Sequence, residues 1–358
     1  MFKKLAVGIV VLVLSLAIGG MAFAANKPMK IPTAWMDEHE TFLIWYAHEK
    51  GWDKEVGLDV ELKLFSSGMD IINALPAGEW VFCGIGAVPA MMGALRHDTE
   101  IILIGNDESY TNAVLVRPDS PIAKTKGYNP KYPNVLGHPK DVKGKTFLVT
   151  TISSAHYAFS SWLQVLGLTD KDVIIKNMDQ AQAVAAFEKG IGDGVALWAP
   201  HMYRGEELGW KVAGTVHDCG QGQPIVLLAD KKFASKNPQV VSDFLSVYLR
   251  AVNMIQNEPL ESLVKDYQHF YFDFTGKEYS AELALKDLQT HPVFNLKEQK
   301  ALFDDSKGTS TAQQWQSNLA HFFTSVGKLT KAECDKVGDG KYATGKYLEG
   351  IKEIKPYK

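Results

Sequence analysis

Cysteine is scarce in this chain: Cys83, Cys219 and Cys334 are three in 358 residues, odd in number and widely spaced. That pattern defines neither a disulfide framework nor a metal site. Cys83 lies in an apolar run and reads as a small core residue, whereas Cys219, beside Gly220, leaves a pairing with Cys334 open. An excess of one charge is also lacking. The formal net charge is -3 and the basic residues are dispersed, so no nucleic acid partner is expected. Catalytic signatures are missing too. His39-Glu40 would open a zinc-hydrolase helix only with His at position 43, which is Leu43, and there is no Walker A sequence and no G-x-S-x-G elbow. Gly84 and Gly86 lack the third glycine of a dinucleotide fingerprint, because position 89 is Pro. No later apolar stretch is long enough to cross a bilayer. The expectation is a protein that is not an enzyme and uses no cofactor and no metal.

What is present begins at the amino terminus. Met1-Phe-Lys-Lys4, an apolar run from Leu5 to Ala17 and Ala22-Phe-Ala24 describe a secretory signal peptide over 1–24, with cleavage after Ala24 or Ala25. No cysteine follows to accept a lipid, so the mature chain is expected in the periplasm; an uncleaved anchor is the alternative. Roughly 330 residues remain, more than one hydrophobic core usually serves, which predicts two lobes.

The stretch from Lys145 to Pro200 is the most informative. Thr146 to Val149 reads as a buried strand that breaks at the hydroxyl-rich Thr150-Thr-Ile-Ser-Ser154, a supply of helix caps. Phe159, Trp162, Leu163 and Leu166 then recur at helical spacing until Gly167. Asp172 to Lys176 reads as a second strand, Asp179 as a cap, Ala181 to Lys189 as a helix, and Val195 to Trp198 as a third strand. Alternating strands and helices predict a parallel sheet with ligands beyond the carboxyl ends of its strands. Those ends carry Thr150 to His156 and Trp198 to His201, a helix amino terminus suited to an anion facing a flat aromatic.

An earlier unit has the same organisation. Lys30 to Trp35, Leu58 to Phe65, Val81 to Ile85 and Glu100 to Ile104 read as strands. Helices are expected from Glu40 or Thr41 to Lys50, after Ser66-Ser-Gly68, and after Gly86-Ala-Val-Pro89. Asn112 to Val116 and Pro224 to Ala229 read as extended crossings between the lobes, the two segments of a hinge. A Pro/Gly/Lys-rich segment from 118 to 144 reads as a surface excursion. Pro238 to Asn257 reads as a long amphipathic helix, and the remainder as helical, ending in a loosely held tail. The expected division is lobe 1 over 27–115 plus 225–330, lobe 2 over 116–224, and a carboxyl-terminal tail over 331–358.

Several stretches together follow one known pattern: Gly57-Leu-Asp-Val-Glu-Leu62, Ser67-Gly68, Gly84-Ile-Gly86, Asp141-Val-Lys-Gly-Lys-Thr146, Ser153-Ser-Ala-His156 and Val195-Ala-Leu-Trp-Ala-Pro200. The chain resembles the periplasmic substrate-binding proteins of ABC importers in the aliphatic sulfonate, taurine and nitrate group, which share a domain with thiamine-pyrimidine proteins. The resemblance covers about Lys30 to Ala229. It implies an α/β fold of the periplasmic-binding-protein type II, with two α/β lobes, a two-segment hinge and here a helical carboxyl-terminal extension. It also implies a small-molecule ligand passed to an ABC transporter permease with its ATPase. Carried over by position, the ligand-binding residues are Trp35, Met36, Glu38, His39, Thr41, Ser66, Ser67, Gly68, Gly84, Gly86, Asn106, Thr151, Ser153, Ser154, Ala155, His156 and Trp198.

Charge sets these loops apart from a plain anion site. They and their neighbours carry Asp37, Glu38, Glu40, Asp107 and Glu108, without Lys or Arg. Hydroxyls and helix amino termini can hold a sulfonate, and carboxylates suit an amine, with Trp35 or Trp198 as a cation–π face. A taurine-like zwitterion fits both halves. A cationic or neutral nitrogenous ligand (amine, amino acid, thiamine pyrimidine) is the alternative, nitrate fits poorly, and a pyrimidine synthase of the same fold is the remote enzyme reading. The same residues also have plainer readings. Acids before a helix stabilise its dipole, serines cap helices, His156 reads equally as a structural histidine, and Trp198 as core.

Overall fold

The computed structural model describes residues 27–358, so the expected signal peptide lies outside the described residues. Along the chain the strands are β1 (Met29–Trp35), β2 (Leu58–Leu64), β3 (Phe82–Gly86), β4 (Thr99–Asp107), β5 (Asn112–Val116), β6 (Thr146–Val149), β7 (Ile174–Asn177), β8 (Gly194–Trp198), β9 (Lys211–Thr215) and β10 (Pro224–Asp230). The helices up to the return crossing are α1 (His39–Glu49), α2 (Gly68–Ala74), α3 (Ala87–His97), α4 (Pro139–Val142), α5 (Ser154–Val165), α6 (Gln180–Glu188) and α7 (His201–Glu207). After it come α8 (Lys231–Lys236), α9 (Pro238–Asn257), α10 (Leu260–Thr275), α11 (Ala281–Thr290), α12 (Leu296–Leu302), α13 (Thr311–Ser325) and α14 (Lys331–Val337). Among the described residues no helix is long and apolar enough to cross a membrane.

The strands form two five-stranded sheets, ordered β2-β1-β3-β10-β4 and β7-β6-β8-β5-β9. In the first, β1 runs parallel to β2 and β3, and β10 runs antiparallel to β3 and β4. In the second, β6 runs parallel to β7 and β8, and β5 runs antiparallel to β8 and β9. The reversed strand of each sheet is the one that arrives from the other lobe. β3, β5 and β8, inside their sheets, are buried along their whole length, which is why they read as nearly continuous apolar runs.

Several sequence expectations change in detail. β5 is wholly a strand of the second sheet, so that lobe begins at Asn112. β7 starts two residues later than expected because Thr169 and Asp172 form a capping box around a 3-10 turn. The 118–144 segment runs largely over the surface, as expected, but is anchored: Ile122, Val135 and Val142 enter the second lobe's core, and the Leu136 N–H donates to Ala213 O. Cys219 and Cys334 are free, each buried in a different apolar cluster. α7, β9 and α8 had no counterpart in the sequence reading.

The carboxyl-terminal chain is packed where a loose tail was expected. β4 would be an exposed sheet edge, but Ile101 bridges to Ala343, Asn106 bridges to Val293, and Gln299 closes the gap between them. The Gln299 side chain is fully buried; its Oε1 accepts from Ile104 N at 3.1 Å and its Nε2 donates to Ile104 O at 2.6 Å. Further along, α13 and α14 bury Leu319, Phe323 and Val337 against Val88 and Met91 of α3 and against Tyr157 and Ala158 of α5. One apolar cluster thus spans both lobes and the extension.

Gln299→Ala orphans both polar groups of Ile104, each buried. We expect a loss of about 1–3 kcal/mol per group, read as a lower urea midpoint with unchanged slope. A midpoint equal to that of the parent would refute the edge-covering role.

Candidate ligand-binding site

Both sheets point the carboxyl ends of their parallel strands at one gap between the lobes. A small cavity of about 10 Å³ there is lined by Met36, Glu38, Gly68, Gly86, Pro89 and Glu108 from the first lobe and Ser153, Ser154 and Trp198 from the second. Larger grooves lie elsewhere, for example around Lys300, Asp304 and Lys346. They are lined by the carboxyl-terminal extension, in part with neighbouring residues of the first lobe, and by no residue of the second. The interlobe cavity alone matches the strand-end rule for this kind of sheet. Its size is about the volume one water molecule needs, so the two walls stand nearly in contact and a solute fits between them only with the lobes further apart.

The local sequence explains each wall. Ser153 is the N-cap of α5, accepting from His156 N at 3.2 Å while its hydroxyl donates to Thr150 O at 2.6 Å. Ser154 and Ala155 then begin the helix, where backbone N–H groups have no intrahelical acceptor. Gly86 ends β3 directly opposite: a Cβ there would collide with Ser154 Oγ, so the lobes meet at this pair because position 86 has no side chain. Gly68 makes similar room for Pro89, whose Cγ would lie 2.6 Å from an added Cβ.

Below the cavity lies an arrangement that the sequence did not reveal. Glu38, Glu40 and Glu108 are 3%, 0% and 2% exposed, and carboxylate oxygens of the three lie within 4.8 Å of one another. Glu108 accepts from Asn112 Nδ2 at 3.0 Å, but neither Glu40 oxygen has a hydrogen-bond partner. Space for Glu40 comes from two glycines. A Cβ on Gly84 would lie 2.9 Å from Glu40 Cγ, and one on Gly105 would lie 3.5 Å from its Cβ. Burial first, and then repulsion from the neighbouring acids, pushes Glu38 well above the usual carboxylate range and Glu40 up to about 8; burial raises Glu108 to about 7 against the opposing pull of His291 and the Asn112 hydrogen bond.

Beside the acids stands a pair from the extension. Burial would lower His291, but the Asp287 carboxylate, with Glu108 adding to it, outweighs that and raises the imidazole to about 9. Asp287 is held below its ordinary value by His291 despite its own burial, and its Oδ2 accepts from Tyr267 at 3.0 Å and Tyr279 at 3.1 Å. His39 stacks on His291 with ring centroids 5.1 Å apart, and burial, with that neighbouring positive charge, lowers it to about 3. His39 is therefore neutral. The Tyr267 hydroxyl donates to Asp287 and so accepts from His39 Nδ1 at 3.1 Å.

Of the residues expected to bind ligand, the structure brings Met36, Glu38, Gly68, Gly86, Ser153, Ser154 and Trp198 to the cavity wall. The others serve elsewhere. Trp35 is fully buried, its Nε1 donates to Thr33 Oγ1 at 2.6 Å, and its ring fills the space over Gly84, so both are core contacts. Thr41 Oγ1 donates to Met36 O at 2.7 Å and shapes the turn. Ser66 is exposed and Ser67 caps α2 through Asp70. Thr151 ties the end of β6 to Asn177 through 2.9 and 3.0 Å hydrogen bonds. Ala155 is core. His156 is corrected from contact to scaffold: its Nδ1 accepts from Ile152 N at 3.0 Å, its Nε2 donates to Asp170 at 2.9 Å, and it is fully buried. Asn106 is fully buried with neither amide atom partnered.

Pro89 and Glu108 join the wall although neither was among the expected ligand-binding residues; Glu108 was counted only among the acids of these loops. Glu108, just past the end of β4, could have been found by the same strand-end rule. Asp287 and His291 carry no local signal, because they reach the site only through the packing of the extension.

Comparison with known proteins supplies a second line. A family model described as NMT1/THI5 like matches residues 39–262. A Brachyspira hyodysenteriae protein, whose name places it as a candidate ABC transporter periplasmic binding protein, is 27% identical over 249 residues, 69% of this chain and 71% of that protein. The taurine-binding periplasmic protein of Escherichia coli is 29% identical over 195 residues, 53% of this chain and 56% of that protein, so only about half of that relative is spanned. Among solved structures, the alkanesulfonate-binding protein SsuA of Xanthomonas axonopodis pv. citri bound to MOPS aligns with a TM-score of 0.66 at 17% identity. It covers 88% of this chain and 98% of its own, a likeness of fold.

The buried acids set the sign of the stability profile. A carboxyl raised above its ordinary value favours the folded state below that value and loses the contribution as pH rises through the folded one. Glu108 and Glu40 therefore lose theirs through about 7 and about 8, and His291, likewise raised, through about 9. His39, lowered, acts oppositely but only below its ordinary 6.5. We expect the melting temperature of the ligand-free protein to fall from pH 6.5 to pH 9, and Glu40→Gln to flatten the slope. A parent curve that rises over that interval would contradict the burial of these charges.

Proposed function

The chain belongs to the NMT1/THI5-like family, and from that premise we propose that it is the extracytoplasmic solute-binding component of an ABC importer. It captures a small organic ligand between its lobes and delivers it to a permease with its ATPase. The observation that carries this reading is a cavity lined from both lobes by the carboxyl ends of their strands. Such a site does binding without chemistry: open lobes, ligand on one wall, hinge closure, release to the membrane partner. Closure is driven by contacts that exist only when both walls touch the ligand, and the Ser154–Gly86 meeting point is where the walls come together. Two further contacts join α7 of the second lobe to α11 of the extension, Tyr203 Oη to Thr290 Oγ1 at 2.6 Å and Lys286 to Glu206 at 2.6 Å. The working division, with the expected boundary moved to the start of β5, is lobe 1 over 27–111 plus 224–330 with the 331–358 segment packed on it, and lobe 2 over 112–223.

For the ligand we propose a taurine-like aliphatic aminosulfonate. A sulfonate suits the hydroxyls and dipole of the α5 amino terminus at Ser153 and Ser154. An amine suits the opposite wall at Glu38 and Glu108, and the wall has neither Lys nor Arg. The same carboxylates favour a purely cationic nitrogenous ligand as the second reading and oppose nitrate.

The test is thermal shift of residues 26–358 against taurine, alkanesulfonates, nitrate, thiamine pyrimidines, amino acids and polyamines. Taurine at a hundred times its dissociation constant stabilises the native state by about 2.7 kcal/mol. A shift with simple amines and none with taurine would remove the sulfonate from the proposal. Ser153→Ala/Ser154→Ala should weaken taurine binding about tenfold or more, the worth of one to two hydrogen bonds. Trp198→Ala is a poor binding test. Trp198 is 5% exposed and packs in the second lobe's core, so we expect it to cost about 3–5 kcal/mol of stability.

A further inference from the structure

Glu40 is the unexplained group in this site. It lines no part of the cavity, it is fully buried, and both of its oxygens lack partners. An uncompensated carboxyl in a protein interior costs several kcal/mol, and such groups in a native structure call for an explanation. Glycine at 84 and 105 leaves room for it, and its oxygen reaches within 4.8 Å of Glu38 and Glu108, which do line the cavity. The buried acceptor is therefore aimed at the floor of the cavity from below.

Resting on the reading of this cavity as the ligand site, we propose that Glu38, Glu40 and Glu108 form a primary-ammonium subsite, each accepting one N–H of a single –NH₃⁺ group. A primary ammonium has three donors and no acceptor, so three carboxylates satisfy it completely. Charge-assisted N–H···O bonds of about 2.8 Å in a tetrahedral arrangement place the acceptors about 4.6 Å apart, within the span found here. A quaternary ammonium has no donors and a wider radius, so it leaves all three acids unsatisfied and is rejected. The apolar walls at Met36, Pro89 and Trp198 hold the organic body of the ligand, which a bare metal ion would not need.

The surroundings make capture an exchange of protons for a cation. Glu38 faces Asp37 and Asp287; Glu40 faces Asp287 and His291, with Cys83 and Tyr248 behind it; Glu108 faces Asp107, Asp287, His291 and Tyr203. His291 is the one cation among these neighbours. It is already matched by Asp287, with its Nδ1 3.0 Å from Asp287 Oδ1. Glu38 and Glu40 consequently hold protons at neutrality and Glu108 does so about half the time, and the entering ammonium displaces protons from this set, so affinity rises with pH until the carboxyls are ionised or the amine itself deprotonates.

Calorimetry on residues 26–358 tests this with taurine and ethanolamine as primary ammonium probes. Choline and N,N,N-trimethyltaurine serve as quaternary probes, and calcium and zinc chlorides as metal probes. Primary probes should bind at least tenfold more tightly than their quaternary counterparts. Their heats should depend on the ionisation enthalpy of the buffer, reporting proton release, and affinity should rise up to about tenfold per pH unit for each proton released. Glu40→Gln, nearly isosteric, should keep its far-UV spectrum while losing at least tenfold in affinity and part of the proton release; Glu108→Gln should do the same.

Equal binding of quaternary probes, buffer-independent heats, or an unaffected Glu40→Gln would overturn the subsite. So would a metal shift abolished by Glu40→Gln with no response to amines, which would make it a metal site. Ethanolamine binding without taurine binding would keep the ammonium subsite and remove the aminosulfonate. Taurine binding that ignores N-methylation and Glu40→Gln would do the reverse.

Discussion

Because β5 and β10 each enter their sheet antiparallel to its neighbours, the parallel strands of both lobes end at the same gap. That constraint governs the rest of the molecule. A strand arriving from the other lobe must run against those it joins, so the turns after β1, β3 and β4 are brought opposite the turns after β6 and β8. The ligand site is then built from strand-end turns on rigid supports, while the connection between lobes is short and extended. Ser154 against Gly86 marks how closely the two sets of turns approach.

The gap is unusual in its charge. Four acids and one imidazolium are buried around it, and the imidazolium is already matched to Asp287. Among the described residues the other three carboxyls have no positive side chain matched to them, so burial raises them, and ionising them in this interior is expensive. They persist because the surrounding structure holds them: Gly84 and Gly105 admit Glu40, Asn112 binds Glu108, and the tyrosines around Asp287 fix its orientation. The proposed ammonium would supply the positive charge that these carboxyls lack, which would tie recognition to stability.

The carboxyl-terminal extension contributes to both. Gln299, Val293 and Ala343 cover the edge of β4, α11 brings Asp287 and His291 beside the acids, and α13 packs across α3 and α5. Lys328, just after α13, lies 3.3 Å from Asp170, the partner of His156. Scaffold and site are thus linked through the helix that also presents Ser153 and Ser154.

Local pattern was enough to read most of the strands and helices up to β8, the long helix α9 with its stated ends, both crossings, and the turns that line the cavity. These follow from periodicity, capping residues and glycine stops, which act over a few residues and are visible in the chain itself. Seven of the lining residues were legible for the same reason, since the end of a strand marks where a ligand can sit. The roles of Trp35, Thr41 and His156 were not, because a side chain at a strand end can turn toward the core or the gap, and packing alone chooses. Nor was the company of Glu40. Its neighbours Glu108, Asp287 and His291 are 68 to 251 positions away in sequence, and only folding, by burying them together, turned scattered acids into one electrostatic site.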